Sequence, residues 1–324
     1  MTLPELASEL AAALGVQHKR EIQAAARRLS NAPAGPWGDT RVRLGDDCAA
    51  IPDGDGYLLL AAEGMWPALV ASEPRFAAYC SILVNCSDVY AMGGRPLAVV
   101  DTLFARDADA AVPLWEGLAE AAERLGVPVV GGHTNLHSPY AALAVAVVGR
   151  ARRLLTSFDA RPGDDLVAAF DLRGQMHAHH PFWNASLEAP PARLRADYEV
   201  LPRIAEAGLA AAGKDISMGG LVGTTLMLLE GSGVGATLQL DAIPRPPEVP
   251  LSTWLLVFPS YGFLLAVPPA RTPAVLGAFA ARGLAAAAVG RVDDSRRLTL
   301  AAGEARAPLW DLARDPLTGF GGGA

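Results

Sequence analysis

The sequence predicts a two-domain chain of mixed α+β order. Three observations lead there. Its 324 residues suffice for two full cores. Helical and strand-like stretches alternate along it, with glycine-rich turns at the strand ends. A polar stretch near 150–162, closing on Ala160-Arg161-Pro162-Gly163-Asp164-Asp165, interrupts that alternation and divides residues 1–153 from 154–324.

Apolar residues at helical spacing predict helices over 3–14 and 18–30, before a Pro/Gly loop from Asn31 to Gly38. Strands are expected at Thr40–Leu44 and Tyr57–Ala62, joined through the acidic turn Gly45-Asp46-Asp47 and Pro52-Asp53-Gly54-Asp55-Gly56. A helix over Pro74–Met92 stops at Gly93-Gly94, and Arg95-Pro96 leads into an apolar strand, Leu97–Phe104. Next come a helix over Val112–Leu125 that stops at Gly126, a short strand Val127–Val130 ending in Gly131-Gly132-His133-Thr134, and a strand Tyr140–Val148. The second half predicts a strand at Leu166–Phe170, a helix around Leu194–Ala212, a loop carrying Asp215 and a helix Leu221–Gly231. Strands at Ala236–Leu240 and Phe263–Val267 and a helix Ala270–Gly283 follow; Ala285–Val292 then leads to a last strand, before a frayed glycine-rich tail, Gly319–Ala324.

Composition excludes several functions. The chain is 51% hydrophobic, 19% charged and carries a net charge of −7, with no basic block, so nucleic acid is not expected as a partner. Lys19 and Lys214 are its only lysines. Three cysteines, Cys48, Cys80 and Cys86, have no metal or redox spacing and read as reduced thiols of a cytoplasmic protein. Cys48 beside Asp47 suits either a reactive thiol or small apolar filler. The N-terminus has no secretory signature, and no apolar run is long enough to span a bilayer.

Acidic residues in turn-like sequence carry the chemical signal: Asp46 and Asp47, then Asp88 in Asn85-Cys86-Ser87-Asp88, then Asp215 in Lys214-Asp215-Ile216-Ser217-Met218-Gly219-Gly220. Singly, Asp46 and Asp47 suit a turn and Asp88 a helix cap. Together, two carboxylates about 5 Å apart at an effective dielectric of about 20 repel by about 3 kcal/mol. A hard cation removes that cost, and oxygen-only donors select Mg²⁺, Mn²⁺ or Ca²⁺.

These motifs resemble the aminoimidazole ribonucleotide (AIR) synthetase superfamily, which includes thiamine-monophosphate kinase, selenophosphate synthetase and the dehydratase that makes hydrogenase cyanide ligands. Gly45-Asp46-Asp47-Cys48-Ala49 is similar to its G-D-D-A-A turn, Asn85 to Gly93 to N-x-S-D-x-x-A-M-G, and Gly131-Gly132-His133-Thr134 to G-G-[DE]-T. Arg161-Pro162-Gly163-Asp164 opens the second domain as in the family. Asp215-Ile216-Ser217, the run Leu229-Glu230-Gly231-Ser232-Gly233-Val234-Gly235-Ala236 and Val289-Gly290-Arg291-Val292 complete the ordered set.

The resemblance implies a two-domain α/β subunit whose N-terminal mixed-sheet domain pairs in a homodimer near bound ATP. It implies ATP with Mg²⁺ or Mn²⁺, held by metal ligands at Asp46, Asp47, Glu63, Asp88 and Asp215. Asn85, Gly93, Gly94, Gly132, His133, Thr134 and Lys214 stand at nucleotide-side positions. Three departures mark this chain: His133 where the family is acidic, Met218 where D-I-S-D-G has its second aspartate, and the stretch Phe258–Leu265 without the kinases' carboxylates. The N-terminal cysteine motif of the selenophosphate synthetases and the C-terminal cysteine of the hydrogenase protein are also lacking, so the nearest group is an AIR synthase-related one of unassigned substrate.

A histidine loop, Arg173 through His177-Ala178-His179-His180 to Trp183-Asn184, suits a zinc site, a polar surface loop, or a cover for substrate in which Arg173, His177 and Trp183 recognise an anionic or planar group. The acceptor pocket is expected among Asp215, His133 and this loop, for a small molecule bearing phosphate or carboxylate. Lys214 suits either phosphate neutralisation or a local ion pair. Gly231-Ser232-Gly233-Val234-Gly235 reads as a helix exit more than a phosphate cradle. The function expected is ATP- and Mg²⁺-dependent phosphoryl transfer activating a small molecule. The alternatives are a non-catalytic nucleotide-binding subunit and a zinc hydrolase built on the histidine loop.

Overall fold

The computed structural model describes residues 1–29 and 42–320, and the chain forms two compact units. Cys48–Arg153 and Ala189–Arg203 form one unit; Met1–Asp47, Leu154–Glu188 and Ile204–Ala324 form the other.

The smaller unit is built on a five-stranded sheet in the order Ala49–Asp53, Gly56–Gly64, Ala142–Ala151, Arg95–Phe104, Val129–Asn135. Neighbours are antiparallel except the last pair, which is parallel and therefore needs a crossover. Helix Ala108–Leu125 supplies it. Asp107 caps its start by accepting from the Ala110 N–H at 2.8 Å, and Gly126, at φ 72°, ends it. Strand Ala142–Ala151 alternates, burying Leu143, Val145 and Val147. Helix Pro74–Ala91 packs on that face and against helix Ala108–Leu125, where a Cβ on Gly117 would stand 2.1 Å from the Arg75 carbonyl oxygen. Leu60 and Val100 point to the opposite face and stay exposed. The 189–203 segment is tied in by Tyr198. Its ring stacks on Tyr90 at 4.7 Å, its hydroxyl lies 3.1 Å from Ser87 Oγ, and next to it Glu199 pairs with Arg95 at 3.0 Å.

The larger unit holds a seven-stranded sheet ordered Ala305–Asp311, Arg297–Ala302, Gly235–Gln239, Ala285–Asp293, Asp165–Phe170, Gly262–Val267, Ala212–Asp215. Gly235–Gln239 and Arg297–Ala302 run parallel; the other neighbours are antiparallel. Strands Asp165–Phe170 and Gly262–Val267 are buried nearly throughout, hence their unbroken apolar sequence. Helix Leu3–Ala12 starts with a capping box between Thr2 and Glu5 and buries Leu6 and Leu10 in the same core as helix Gly220–Ser232.

Several elements differ from the sequence expectation. Of the strand expected at Thr40–Leu44, residues 40 and 41 lie outside the described residues and 42–44 form no strand; the strand is Ala49–Asp53, directly after the acidic turn. The Gly131–Thr134 motif lies inside strand Val129–Asn135, held there by pairing with Arg95–Phe104. The helix expected over Leu194–Ala212 is two helices, Pro191–Tyr198 and Val200–Glu206, then a turn through Gly208 at φ 63° and the strand Ala212–Asp215. The tail is docked through Phe320, while its last four residues lie outside the described range. No described helix is long and apolar enough to cross a membrane.

Candidate metal and nucleotide site

In the larger unit, the acidic turn, the 157 loop and the end of strand Ala212–Asp215 converge. Gly45 takes φ 101°, and the Phe320 ring packs where its side chain would be, with ring atoms 2.6–2.7 Å from a Cβ position. Only glycine combines that backbone with that neighbour. Asp46 accepts from Ser157 Oγ at 2.6 Å and from the Ser157 N–H at 3.0 and 3.1 Å. Asp47 accepts from Lys214 Nζ in a short charged contact and lies 3.4 Å from the Asp215 N–H. Lys214 Nζ also donates to Ser157 Oγ at 3.2 Å. Lys214 is 1% exposed and Asp215 5%.

Three carboxylates therefore share one ammonium away from water. Burial pushes the Asp46 carboxyl up to about 6, opposed by Lys214 and Ser157 and reinforced by Asp47. Burial alone would lower Lys214, but Asp47, Asp46 and Asp215 hold it above its ordinary value, so it stays charged. A carboxylate oxygen of Asp47 and one of Asp215 lie within 4.8 Å of each other. This set of hard oxygen donors with residual negative charge fits Mg²⁺ or Mn²⁺. Of the two roles the sequence offers Lys214, phosphate neutralisation or a local ion pair, the ion pair is present, with Asp47.

In the smaller unit, the Asn85 to Gly94 motif occupies the C-terminal half of helix Pro74–Ala91 and its exit. Asp88 does not cap a helix start. It is 7% exposed and lies in the last turn, where both burial and the helix dipole oppose a negative charge. A carboxylate kept against two costs is a functional candidate. Asn85, expected on the nucleotide side, is fully buried in the helix. Its Nδ2 donates to the Ser81 carbonyl at 2.7 Å and the Val145 carbonyl at 3.2 Å, using both N–H groups. Its Oδ1, fully buried, has no hydrogen-bond partner among the described residues. Gly93 and Gly94, also expected on the nucleotide side, form the exit of the helix. Their N–H groups donate to the Tyr90 and Val89 carbonyls, closing a helix C-terminus, the end that disfavours phosphate.

Glu63 stands exposed near the end of strand Gly56–Gly64, opposite Val145 in register. On the other side of Val145 the register places Asp101, which sequence reading passed over as part of an apolar strand. Burial raises its carboxyl, and Gly132 makes room for it: a Cβ there would stand 2.4 Å from Asp101 Oδ1. A lone charge inside Leu97–Phe104 was the available signal. His133 and Thr134 are exposed on the sheet's edge strand, with the His133 ring 6.2 Å from that of Phe104.

The histidine loop belongs to a small sheet of Gln175–Met176, Phe182–Asn184 and Phe258–Pro259. Two residues expected to meet substrate are held by contacts within the unit. Arg173 forks onto the buried Asp171 at 2.7 and 3.1 Å, and Trp183, 1% exposed, donates Nε1 to the Asp171 carbonyl at 2.9 Å and stacks edge-on against Trp254. The His177 and His180 rings stack at 5.1 Å, and His177 Nδ1 accepts from the His179 N–H at 3.2 Å. Cys48, Cys80 and Cys86 are all buried, and burial pushes the Cys80 and Cys86 thiols up, so these two are packing groups.

Residues 45–151 match the model of the AIR synthase related protein N-terminal domain, and residues 166–303 match that of the C-terminal domain. An uncharacterized protein of Synechocystis sp. is 50% identical over 321 residues, 99% of each chain. Among solved structures, T. maritima PurL complexed with ATP superposes with a TM-score of 0.75 at 22% identity, over 97% of this chain and 52% of that one. This chain therefore spans about half of that protein's length. AaThiL complexed with AMPPCP and TMP gives 0.66 at 22% identity, over 86% of this chain and 92% of that one. At these identities the structural likeness is one of fold. The two domain matches, in order and covering most of the chain, establish that it belongs to the AIR synthase related family.

Proposed function

We propose that this protein catalyses ATP- and Mg²⁺-dependent phosphoryl transfer that activates a small molecule. The observation that carries the reading is the buried cluster of Asp46, Asp47, Asp215 and Lys214. Three acids on one ammonium are costly to keep unless they serve a cation. The nucleotide is inferred from the ATP and AMPPCP bound in the two similar structures. In this reading Asp47 and Asp215 are metal ligands of the larger unit, and Glu63 and Asp88 are candidate metal ligands of the smaller one. Lys214 keeps Asp47 aimed, and Asp46 fixes the 157 loop. Bound Mg²⁺ would supply charge neutralisation on the phosphates, which with positioning makes up most of such catalysis. Asp215→Asn, isosteric but neutral, is expected to weaken Mg-ATP binding at least about tenfold, roughly 1.4 kcal/mol, with the fold retained. Calorimetry showing wild-type affinity in Asp215→Asn and Asp47→Asn alike would contradict the assignment.

One observation favours the second reading, a nucleotide-binding subunit without turnover: the exposed His133 stands at the acidic position of the G-G-[DE]-T motif that Gly131–Thr134 resembles. ATP consumption by the purified protein in the presence of phosphate- and amide-bearing acceptors separates the two. Assembly as a homodimer is part of the first reading. Leu60, Leu97, Val100 and Val130, exposed by 42–63% in the five-stranded sheet, are apolar surface that a second copy would cover. Light scattering at micromolar concentration is expected to give twice the 33.7 kDa chain mass; a monomer would rule that pairing out.

A further inference from the structure

Arg43 stands three positions before Asp46, at the entry to the acidic turn, yet pairs with neither aspartate. Asp46 is taken by Ser157 and Asp47 by Lys214. The Arg43 guanidinium lies instead over the Phe158 ring, with its carbon 3.7 Å from the ring centre. The residue is exposed, and none of its five N–H donors meets an acceptor among the described residues. We propose that Arg43, held on Phe158, binds an oxyanion beside the acidic turn, either a phosphate of the nucleotide or the phosphate or carboxylate of the acceptor. This deepens the proposed function and rests on its reading of Asp47 and Asp215 as metal ligands.

The ring is a fixed platform. Thr156 joins its loop to the strand that ends at Asp215: the Thr156 N–H donates to the Ala211 carbonyl at 3.0 Å, and its carbonyl accepts from the Gly213 N–H at 3.1 Å. The Thr156 hydroxyl accepts from the Phe158 N–H at 3.1 Å and donates to Asp159 at 2.6 Å. The end of helix Gly220–Ser232 closes the other side. Ser232 Oγ donates to the Ser157 carbonyl at 2.8 Å and accepts from the Ala160 N–H at 3.0 Å, and a Cβ on Gly231 would stand 2.6 Å from that carbonyl oxygen. Because Asp46 also binds Ser157, the acidic turn and the ring under Arg43 are held as one piece. A cation over an exposed ring gains about 0.5–1 kcal/mol, less than the roughly 2 kcal/mol of side-chain entropy that ordering an arginine costs. The stack therefore aims the fork more than it stabilises the fold. With its face on the ring, the guanidinium keeps its edges for a ligand, and those edges match phosphate or carboxylate oxygens in pairs. A cation on Asp47 and Asp215 draws the same groups to this place, and metal with arginine is a common clamp on a phosphoryl group. Lys214 cannot supply that charge, since its ammonium is buried on Asp47 and Ser157. Arg173, which the sequence suggested for an anionic acceptor, is spent on Asp171.

Phenylglyoxal, which attacks accessible guanidinium groups, reads this site in the full-length protein, with each modified arginine located by peptide mass spectrometry. Inorganic phosphate, against chloride at equal ionic strength, is expected to protect Arg43 saturably and to leave the exposed Arg152 reacting as before. At about ten times its half-protecting concentration, phosphate should slow the reaction at Arg43 about tenfold, by mass action. Phe158→Leu, which removes the ring and keeps much of its bulk, should raise the half-protecting concentration. The wild-type chain alone decides the matter: no protection of Arg43, or equal protection of Arg152, overturns the proposal. Unchanged protection in a folded Phe158→Leu protein overturns the part given to the ring. Protection by Mg·AMPPCP without phosphate assigns the oxyanion to the nucleotide. Protection by phosphate but not by bound Mg·AMPPCP assigns it to the acceptor, and either result upholds the site. Phosphate protection of Arg43 in protein that calorimetry shows not to bind Mg·AMPPCP would uphold the oxyanion site and count against the proposed function alone.

Discussion

Replacing Lys214 by methionine is expected to lower the unfolding free energy by about 3–5 kcal/mol in EDTA, the cost of leaving a buried ion pair half-broken. Methionine keeps most of the volume, so a cavity contributes little and the loss reports charge. Asp47, Asp46 and Asp215 would then share a dry site without a cation, while Ser157 Oγ keeps only Asp46. Saturating Mg²⁺ should restore part of the stability, because a divalent ion held by Asp47 and Asp215 replaces the missing positive charge, and binding to the folded state alone stabilises it. Urea unfolding with and without Mg²⁺ measures both effects. A variant as stable as wild type in EDTA would show that the pair adds nothing, and a deficit untouched by Mg²⁺ would count against these carboxylates as metal ligands.

Glu230→Ala is expected to cost about 3 kcal/mol and to release the tail. The Glu230 carboxylate, 3% exposed, accepts from the Leu317 N–H at 2.9 Å, the Thr318 N–H at 2.7 Å, Thr318 Oγ1 at 2.5 Å and the Gly319 N–H at 3.2 Å. Charge-assisted bonds of this kind are about twice as strong as neutral ones. The tail they hold ends on Phe320, packed against Gly45 at the acidic turn. The effect should therefore travel: faster amide exchange at 317–319, and weaker Mg-ATP binding although Glu230 touches neither ligand. Glu230→Gln, with one acceptor oxygen in place of two, should fall between. Wild-type exchange at these amides in Glu230→Ala would disprove the clamp.

The sequence carried the long elements because their signals are local. Helix Pro74–Ala91 and helix Ala108–Leu125 follow from apolar spacing and from the glycines just beyond their ends. The Gly45-Asp46-Asp47 turn was legible for the same reason. Gly93-Gly94 was legible too, but as a helix stop; assigning it to phosphate set aside the polarity of the helix end. Arg173 and Asp171 are two residues apart at a strand end, so their pairing was open to inspection. Asp101 was hidden by averaging a charge into an apolar strand. The remainder depends on contacts between distant segments. Glu230 meets its partners 87 to 89 positions on, Lys19 reaches Ser217, and residues 189–203 leave the half of the chain they are written in. No periodicity encodes such pairings, and the strands Gln175–Met176 and Phe258–Pro259 are too short to show any.

In the proposed function the acidic cluster holds a divalent metal with ATP. Calorimetric titration of the wild-type protein with ATP, once in Mg²⁺ and once in EDTA, tests it most directly. The account predicts saturable binding in Mg²⁺ that is lost in EDTA and weakened in Asp47→Asn and Asp215→Asn. Binding of equal strength in EDTA, or none in Mg²⁺, would contradict it.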